Sequence, residues 1–221
     1  TPLYSSAASD VYKRQARANG GFATMQKAFS EKLGVNLLAH LDTGIQFHIY
    51  TIDEPKRTDD GGVDLDGLRI RSQPIYNSFF ESLGAIPVSV PVPDVYTGLE
   101  RHTFDGSGWP IVAIKDLSWD KFLRYRIDPG FFQTDLAVVV NPAKWDALSD
   151  EAKTIITEAA AEYEQTSYEN FQAVISDTDK AVRDEGMQVI SLEGEAASNY
   201  LDGAYESAWK RMKEAGSEHY D

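Results

Sequence analysis

Between residues 66 and 110 strand-like and helix-like segments alternate so tightly that few folds can hold the chain: DGLRIRSQPIYNSFFESLGAIPVSVPVPDVYTGLERHTFDGSGWP. Residues 68–71 form a short apolar and β-branched run, and residues 75–83 carry apolar side chains at helical spacing until Gly84 stops them. Residues 86–92 read as a second strand, Asp94 as the N-cap of a helix through Glu100, and Phe104-Asp105-Gly106 as the end of a third strand. Strand, helix, strand, helix, strand with short links demands parallel strands and helical crossovers, hence an α/β sheet. Ligands of such sheets bind beyond the carboxyl ends of the strands. Arg71 and Trp109 both stand at such ends.

The remaining segments fit around this unit. Residues 21–33 predict a helix ended by Gly34, and residues 35–41 and 45–52 predict two strands. Residues 54–66, polar with paired glycines, predict a surface loop. A partly helical stretch is expected over 111–125, resting on Trp119, Phe122 and Leu123. Asp128-Pro129-Gly130 reads as a turn, and 131–140 as a β run ended by Asn141-Pro142. From the Leu148-Ser149-Asp150 cap to about Glu185 there is neither Gly nor Pro, and Ile155, Ile156, Ala159, Ala160, Tyr163, Phe171, Val174, Ile175 and Val182 keep a helical stripe. At 1.5 Å per residue such a helix spans roughly 50 Å, more than one small domain, so it is expected to cross two. Two helices broken near residues 165–167 are the alternative. A strand over 187–192 and an amphipathic helix over 196–215 close the chain. Residues 1–15 (TPLYSSAASDVYKRQ) lack sustained periodicity and are read as an appended, non-native extension, which makes the chain a fragment.

Charge and residue usage narrow the function. Thirty-five acidic against 21 basic residues give a net charge of −14, which argues against nucleic acid, whose phosphates require a basic face. No apolar run is long enough to span a bilayer, so no direct membrane insertion is expected. The absence of cysteine removes disulfides, thiolate metal sites and cysteine catalysis. His40, His48, His102 and His219 are scattered without metal-ligand spacing. The acidic run from Asp59 to Asp66 looks like a calcium loop but lacks its 12-residue spacing and closing Glu, so it reads as a solvated turn. Neither a nucleophile elbow nor a phosphate-cradling glycine loop is present. No cofactor, metal or catalytic residue is expected.

Arg71 is the residue with chemistry to offer. Arg69 is read as solvated and turned away from it, while Arg71, just before Pro74, points into the crevice at the sheet edge. A guanidinium there can grip a carboxylate through two parallel N–H···O bonds. The bland alternative is an internal ion pair with one of the many acids. Trp109, in a Gly-x-Trp-Pro turn, offers an apolar wall and one N–H donor, or else simply covers the edge of the core.

The motifs DLDGLRIR at 64–71, LGAIPV at 83–88, DVYTGLE at 94–100 and FDGSGWP at 104–110, with NPAKWDALSDEAK at 141–153 before the long helix, resemble DctP-type solute-binding proteins of tripartite ATP-independent periplasmic (TRAP) transporters. The resemblance runs from about Gly21 to the C-terminus. It implies a two-lobe α/β fold with mixed sheets and a long helix spanning both lobes, closing on a ligand by hinge motion, with the first lobe incomplete here. In outline, 16–43 would be a remnant of lobe 1, 44–130 lobe 2, 131–170 the return to lobe 1, and 171–221 the end of the spanning helix with the last part of lobe 2. It further implies a non-enzymatic periplasmic protein that captures an organic acid and delivers it to the membrane permease subunits of a TRAP transporter. An α/β enzyme acting on a small carboxylate is the rival reading. Arg71 matches the family's carboxylate-pairing arginine, and Trp109 a ligand-lining position where sialic-acid-type members carry asparagine. Val92 stands where some members have phenylalanine and Gln46 where some have a second arginine; both departures argue against sialic acid. Phe131, Phe132 and Gln133 are expected to face the cleft as well.

Overall fold

The computed structural model describes residues 16–216, without the side chains of Asp42, Thr43, Thr134 and Gln165. The proposed N-terminal extension and His219 lie outside the described residues. Among the described residues, eight strands and six α-helices follow in order from Gly21 onward. They are α1 (Gly21–Ala28), β1 (Asn36–Thr51), β2 (Lys56–Arg57), β3 (Val63–Asp64), β4 (Arg69–Ser72), α2 (Asn77–Ser82), β5 (Ile86–Ser89) and α3 (Val92–Glu100). Then come β6 (Gly106–Pro110), β7 (Tyr125–Val140), α4 (Pro142–Asp146), α5 (Asp150–Asp184), β8 (Gln188–Ser191) and α6 (Gly194–Glu214). The described residues form two compact units: unit 1 takes residues 16–45 and 134–174, and unit 2 takes 46–133 and 175–216.

The unit at 66–110 folds as its punctuation demands. β4 runs parallel to β5 and to β6, with α2 and α3 as crossovers. Gly84, at φ +85, takes the left-handed turn that ends α2. β6 is antiparallel to β1, and β8 is parallel to β7, so the six-stranded sheet, ordered β5-β4-β6-β1-β7-β8, is mixed. In unit 2 each face of this sheet has its own core. Ile49, Ile70, Tyr76, Phe79, Phe80 and Phe131 pack with Tyr200 and Ala204 of α6. Tyr50, Val95, Leu99, Phe104, Trp119 and Leu123 pack with Val182 near the end of α5. Each fully buried Phe or Leu in these clusters contributes about 2 kcal/mol of burial free energy.

The glycines of β6 show how closely the layers approach. A Cβ at Gly106 would run into the Tyr50 carbonyl oxygen of the neighbouring strand and the Ile70 side chain. Gly106→Ala is therefore expected to cost about 3 kcal/mol, since backbone cannot step aside as a side-chain tip can. Urea unfolding would register this as a lower midpoint at unchanged slope; a midpoint within error of the parent would show that the strands can part.

Several expectations are corrected. The two strands expected over 35–52 are one, β1, which continues through Gly44 because glycine accepts the φ of +61 found there. Likewise β7 runs unbroken through Asp128-Pro129-Gly130, with a cis Asp128–Pro129 bond, so these residues do not make a turn. The stretch 111–125 holds only a single 3₁₀ turn at Trp119–Lys121; Ala113 at φ +70 and Ser118 at φ +57 forbid a continuous helix. Residues 54–66 contain the β2–β3 hairpin, with Val63 and Leu65 buried rather than on the surface. The helix placed behind Asp94 begins two residues earlier, at Val92, with Asp94 in its first turn.

The long run is one helix, α5, continuous through residues 165–167 and capped where Ser149 Oγ accepts the Ala152 N–H at 3.2 Å. Its expected apolar stripe is only partly buried: Val182 is, whereas Ile155, Tyr163 and Val174 are exposed. Inside unit 1 the buried positions described on α5 are Glu164 and Ser167, and the Glu164 carboxylate accepts two 2.8 Å bonds from Arg17 and one from the His40 N–H.

Candidate functional site

Strand register brings the site together. Arg71 on β4 lies beside Ser107 on β6, Ser107 lies beside Tyr50 on β1, and Trp109 lies opposite His48. Paired positions share a face, so Arg71, Ser107, Trp109, Tyr50 and His48 stand on one side of the unit-2 sheet.

Arg71 is 2% exposed. Its Nε donates to the Val90 carbonyl at 3.1 Å and its Nη1 to the Gly108 carbonyl at 3.5 Å, and its Cζ lies 5.2 Å from the Trp109 ring centroid. Among the described residues no carboxylate pairs with it. Burial pulls its pKa down from the usual arginine value, and only the neighbouring Tyr76 hydroxyl opposes that. Carbonyls and a ring face solvate a cation less fully than an anion does, so the guanidinium is held buried at a cost.

Arg69 makes the contrast, and it corrects two expectations. The two-residue period of a strand puts Arg69 and Arg71 on the same side of β4, not on opposite sides. Nor is Arg69 simply solvated. It grips Asp105 through Nη2 at 3.0 Å and Nε at 3.2 Å, while its backbone N–H donates to the same carboxylate at 2.8 Å. Burial alone would raise the Asp105 pKa, but these bonds outweigh it and hold the carboxyl below its usual range. One arginine of the pair has its acid. The other does not.

Trp109 lies within β6 rather than in a turn after it. Its ring packs at 4.8 Å and 57° against Trp119, and its Nε1 is buried without a hydrogen-bond partner among the described residues. Val92, half-buried at the start of α3, packs into the same cluster. Gln46 is exposed on β1, with its Cβ hard against Gly130. Phe131 sits elsewhere: it is 1% exposed in the aromatic cluster on the opposite face, with Tyr76 and Phe79 rings at 5.5 and 5.3 Å. Phe132, half-buried, packs its ring against Phe131 at 5.1 Å and 57°, and Gln133 is exposed on β7. Tyr76 and Ser107 were not singled out by the sequence reading, yet both donate to the Gly108 carbonyl beside Arg71. The β4–β6 register sets Ser107 beside Arg71, and Tyr76 arrives from the start of α2; short-range patterns carry neither.

Farther along the same face is a closed polar network. His48 Nδ1 lies 2.8 Å from Asp128, Arg126 grips Asp128 with two 2.8 Å bonds, and Arg126 Nη1 reaches Asp179 at 2.6 Å. A concavity of about 540 Å³ opens in unit 1, lined in part by Arg17, Asn36, Trp145 and Thr157. None of the expected site residues lines it, and its arginine is already answered by Glu164. Among the described residues no helix is long and apolar enough to cross a membrane.

Residues 4–215, a span that takes in most of the opening fifteen residues, match the DctP family model, described as bacterial extracellular solute-binding protein, family 7. The chain is similar to the 2,3-diketo-L-gulonate-binding periplasmic protein of Escherichia coli K12, with 30% identity over 79% of this chain and 53% of that one. It is also similar to the C4-dicarboxylate-binding periplasmic protein of Rhodobacter capsulatus, with 25% identity over 82% and 51%. The chain thus spans about half the length of the curated relatives it matches. Its fold resembles a TRAP periplasmic solute-binding protein from Desulfovibrio salexigens with bound orotic acid, with a TM-score of 0.75, 20% identity, and coverage of 93% of this chain and 65% of that one. A Pseudomonas putida F1 counterpart with bound D-glucuronate gives a TM-score of 0.74, 18% identity, and coverage of 89% and 62%. On the family-model match the chain belongs to the DctP family, family 7 of the bacterial extracellular solute-binding proteins.

Proposed function

We propose that this protein captures an organic acid in the periplasm and hands it to the membrane permease subunits of a TRAP transporter. Arg71 is the carboxylate clamp and Trp109 the wall beside it. The observation that carries the reading is a buried guanidinium with no acid of its own among the described residues, on the same strand as an arginine that has one. A bound carboxylate supplies the missing anion and converts a cost into a charge-assisted pair. Val92 and Gln46 contribute from the edges of the site and Gln133 from β7, while Phe132 packs with Phe131 against the opposite-face cluster. Phe131 acts from the core, by positioning Tyr76. The relatives and neighbours support an acid ligand, since diketogulonate, C4-dicarboxylates, orotate and glucuronate are all carboxylates. The rival enzymatic reading draws nothing from a family of binding proteins.

A thermal-shift panel tests this directly. Acids are screened beside their uncharged amides, for example succinate against succinamide. At a hundredfold excess over Kd a ligand stabilises the folded protein by about 2.7 kcal/mol. Acids are expected to raise the unfolding temperature where their amides do not. Equal shifts from both, or none across the panel, would overturn the carboxylate reading.

A further inference from the structure

The clamp leaves a buried histidine unused. His48 is 6% exposed and stands directly across the β1–β6 pairing from Trp109, whose ring centroid is 5.2 Å from Arg71 Cζ. Cβ atoms of such opposed residues are about 5 Å apart, so His48 is one indole away from the guanidinium. Its two nitrogens differ. Nδ1 lies 2.8 Å from an Asp128 oxygen and 3.2 Å from the Ile127 carbonyl. Both accept, the Asp128 carboxyl being ionised at its pKa of about 2. Nδ1 therefore carries a hydrogen whatever the charge on the ring. Nε2 meets no partner among the described residues. Protonating His48 is thus a change at Nε2 alone and disturbs none of the bonds that hold the ring.

The charges around His48 set the sign of the effect. Tyr50, on the same strand with its ring at 6.1 Å, and Tyr200 on α6 are both pushed up by burial and stay neutral. Arg126 and Asp128 come from β7, and Asp179 and Arg183 from α5. Arg126 bonds both acids and Arg183 bonds Asp179, so these four charges cancel. Arg69 on β4 is answered by Asp105. Arg71 is left as a cation without an acid among the described residues, and alone it disfavours a second positive charge nearby. An anion on Arg71 cancels that repulsion. Building on the carboxylate reading above, we propose that binding of the acid draws a proton onto His48 Nε2, which makes His48 the second cation of the site. Linkage is reciprocal, so the proton tightens acid binding by the same factor. The acid is held most firmly at low pH and is loosened as the pH rises.

Titration calorimetry tests this with fumarate, orotate and D-glucuronate, whose carboxyls stay ionised from about pH 6 to about pH 8.5. At about pH 7, where histidine exchanges protons, each acid is titrated in MOPS and in imidazole, buffers of different ionisation enthalpy. A proton drawn from the buffer makes the heat more endothermic in imidazole. The parent is expected to show that difference, and to bind roughly tenfold more weakly at the upper end of the pH range than at the lower. His48→Asn keeps an amide N–H for Asp128 but cannot titrate. Its heats should agree between the buffers, and its affinity should not vary with pH. His48→Gln makes the same comparison if the shorter side chain unfolds the sheet. Equal heats for the parent in both buffers would overturn the proposal and leave the clamp intact. So would a buffer difference that survives in the non-titrating variant. If none of the three acids binds at any pH, the clamp and this proposal fall together.

Discussion

Replacing Arg71 by Ala is expected to weaken acid binding at least a hundredfold while the protein remains folded. Truncating one partner of a buried, hydrogen-bonded charge pair costs about 2–5 kcal/mol of affinity, because the ligand carboxylate is then desolvated against nothing. Arg71→Lys keeps the charge but loses the two-pronged fork, and should fall between the parent and the alanine variant. Stability without ligand supplies the sharper test. A buried guanidinium with no acid beside it destabilises the empty protein, and apolar residues that replace buried charges are often neutral or stabilising. Arg71→Met should therefore unfold at the same or a higher urea concentration than the parent when no ligand is present. In the presence of a saturating acid the order should reverse, since only the parent gains from binding. An unliganded Arg71→Met that is several kcal/mol less stable would mean that Arg71 is answered from within the protein, and the clamp would be lost as an idea.

Arg71 was legible because its neighbourhood is governed by local punctuation. Gly67, Gly84 and Gly106 bracket elements of four to nine residues, and the parallel β4–β5–β6 arrangement follows from their order. Which side of a strand meets which layer is another matter. The family resemblance puts Phe131 towards the ligand, but Phe131 belongs to the aromatic cluster with Phe79 and Phe80, because an apolar strand residue packs equally well on either face. The breaks expected at Gly44 and at Asp128-Pro129-Gly130 failed for a related reason. Turn-prone residues permit a turn without requiring one, and β1 and β7, neighbours in the sheet, stay extended through these positions. The reach of Tyr76, at the start of α2, to the Gly108 carbonyl spans 32 residues of sequence, which no short window contains. Arg69 taught the same lesson at short range: its partner, Asp105, became visible only once β4 lay beside the entry to β6.

The second large effect is expected at Asp128, where the unit-2 sheet buries its other arginine. Arg126, with a side chain 5% exposed, depends on Asp128 for two of its bonds and on Asp179 for a third, and His48 Nδ1 lies against the same Asp128 carboxylate. Burial by itself would raise the Asp128 pKa, but the bonds from His48 and Arg126 prevail and set it at about 2. The unfolded-state value is about 3.9, so the folded pKa is depressed and the carboxylate form is the one that stabilises the fold. That contribution, about 2 kcal/mol, is complete above roughly pH 5 and is lost as the pH falls through 4 towards 2. Asp128→Asn removes it at every pH and leaves Arg126 with Asp179 alone. At pH 7 the variant should be about 3 kcal/mol less stable than the parent, the low end for breaking a buried pair, because the Asp128 side chain retains 25% exposure. Urea unfolding followed from pH 7 to pH 2 should show the two proteins converging as the parent protonates Asp128. Curves that stay parallel down to pH 2 would place the titration on another acid, and a neutral Asp128→Asn at pH 7 would mean that Asp179 alone is enough to hold Arg126 in the sheet.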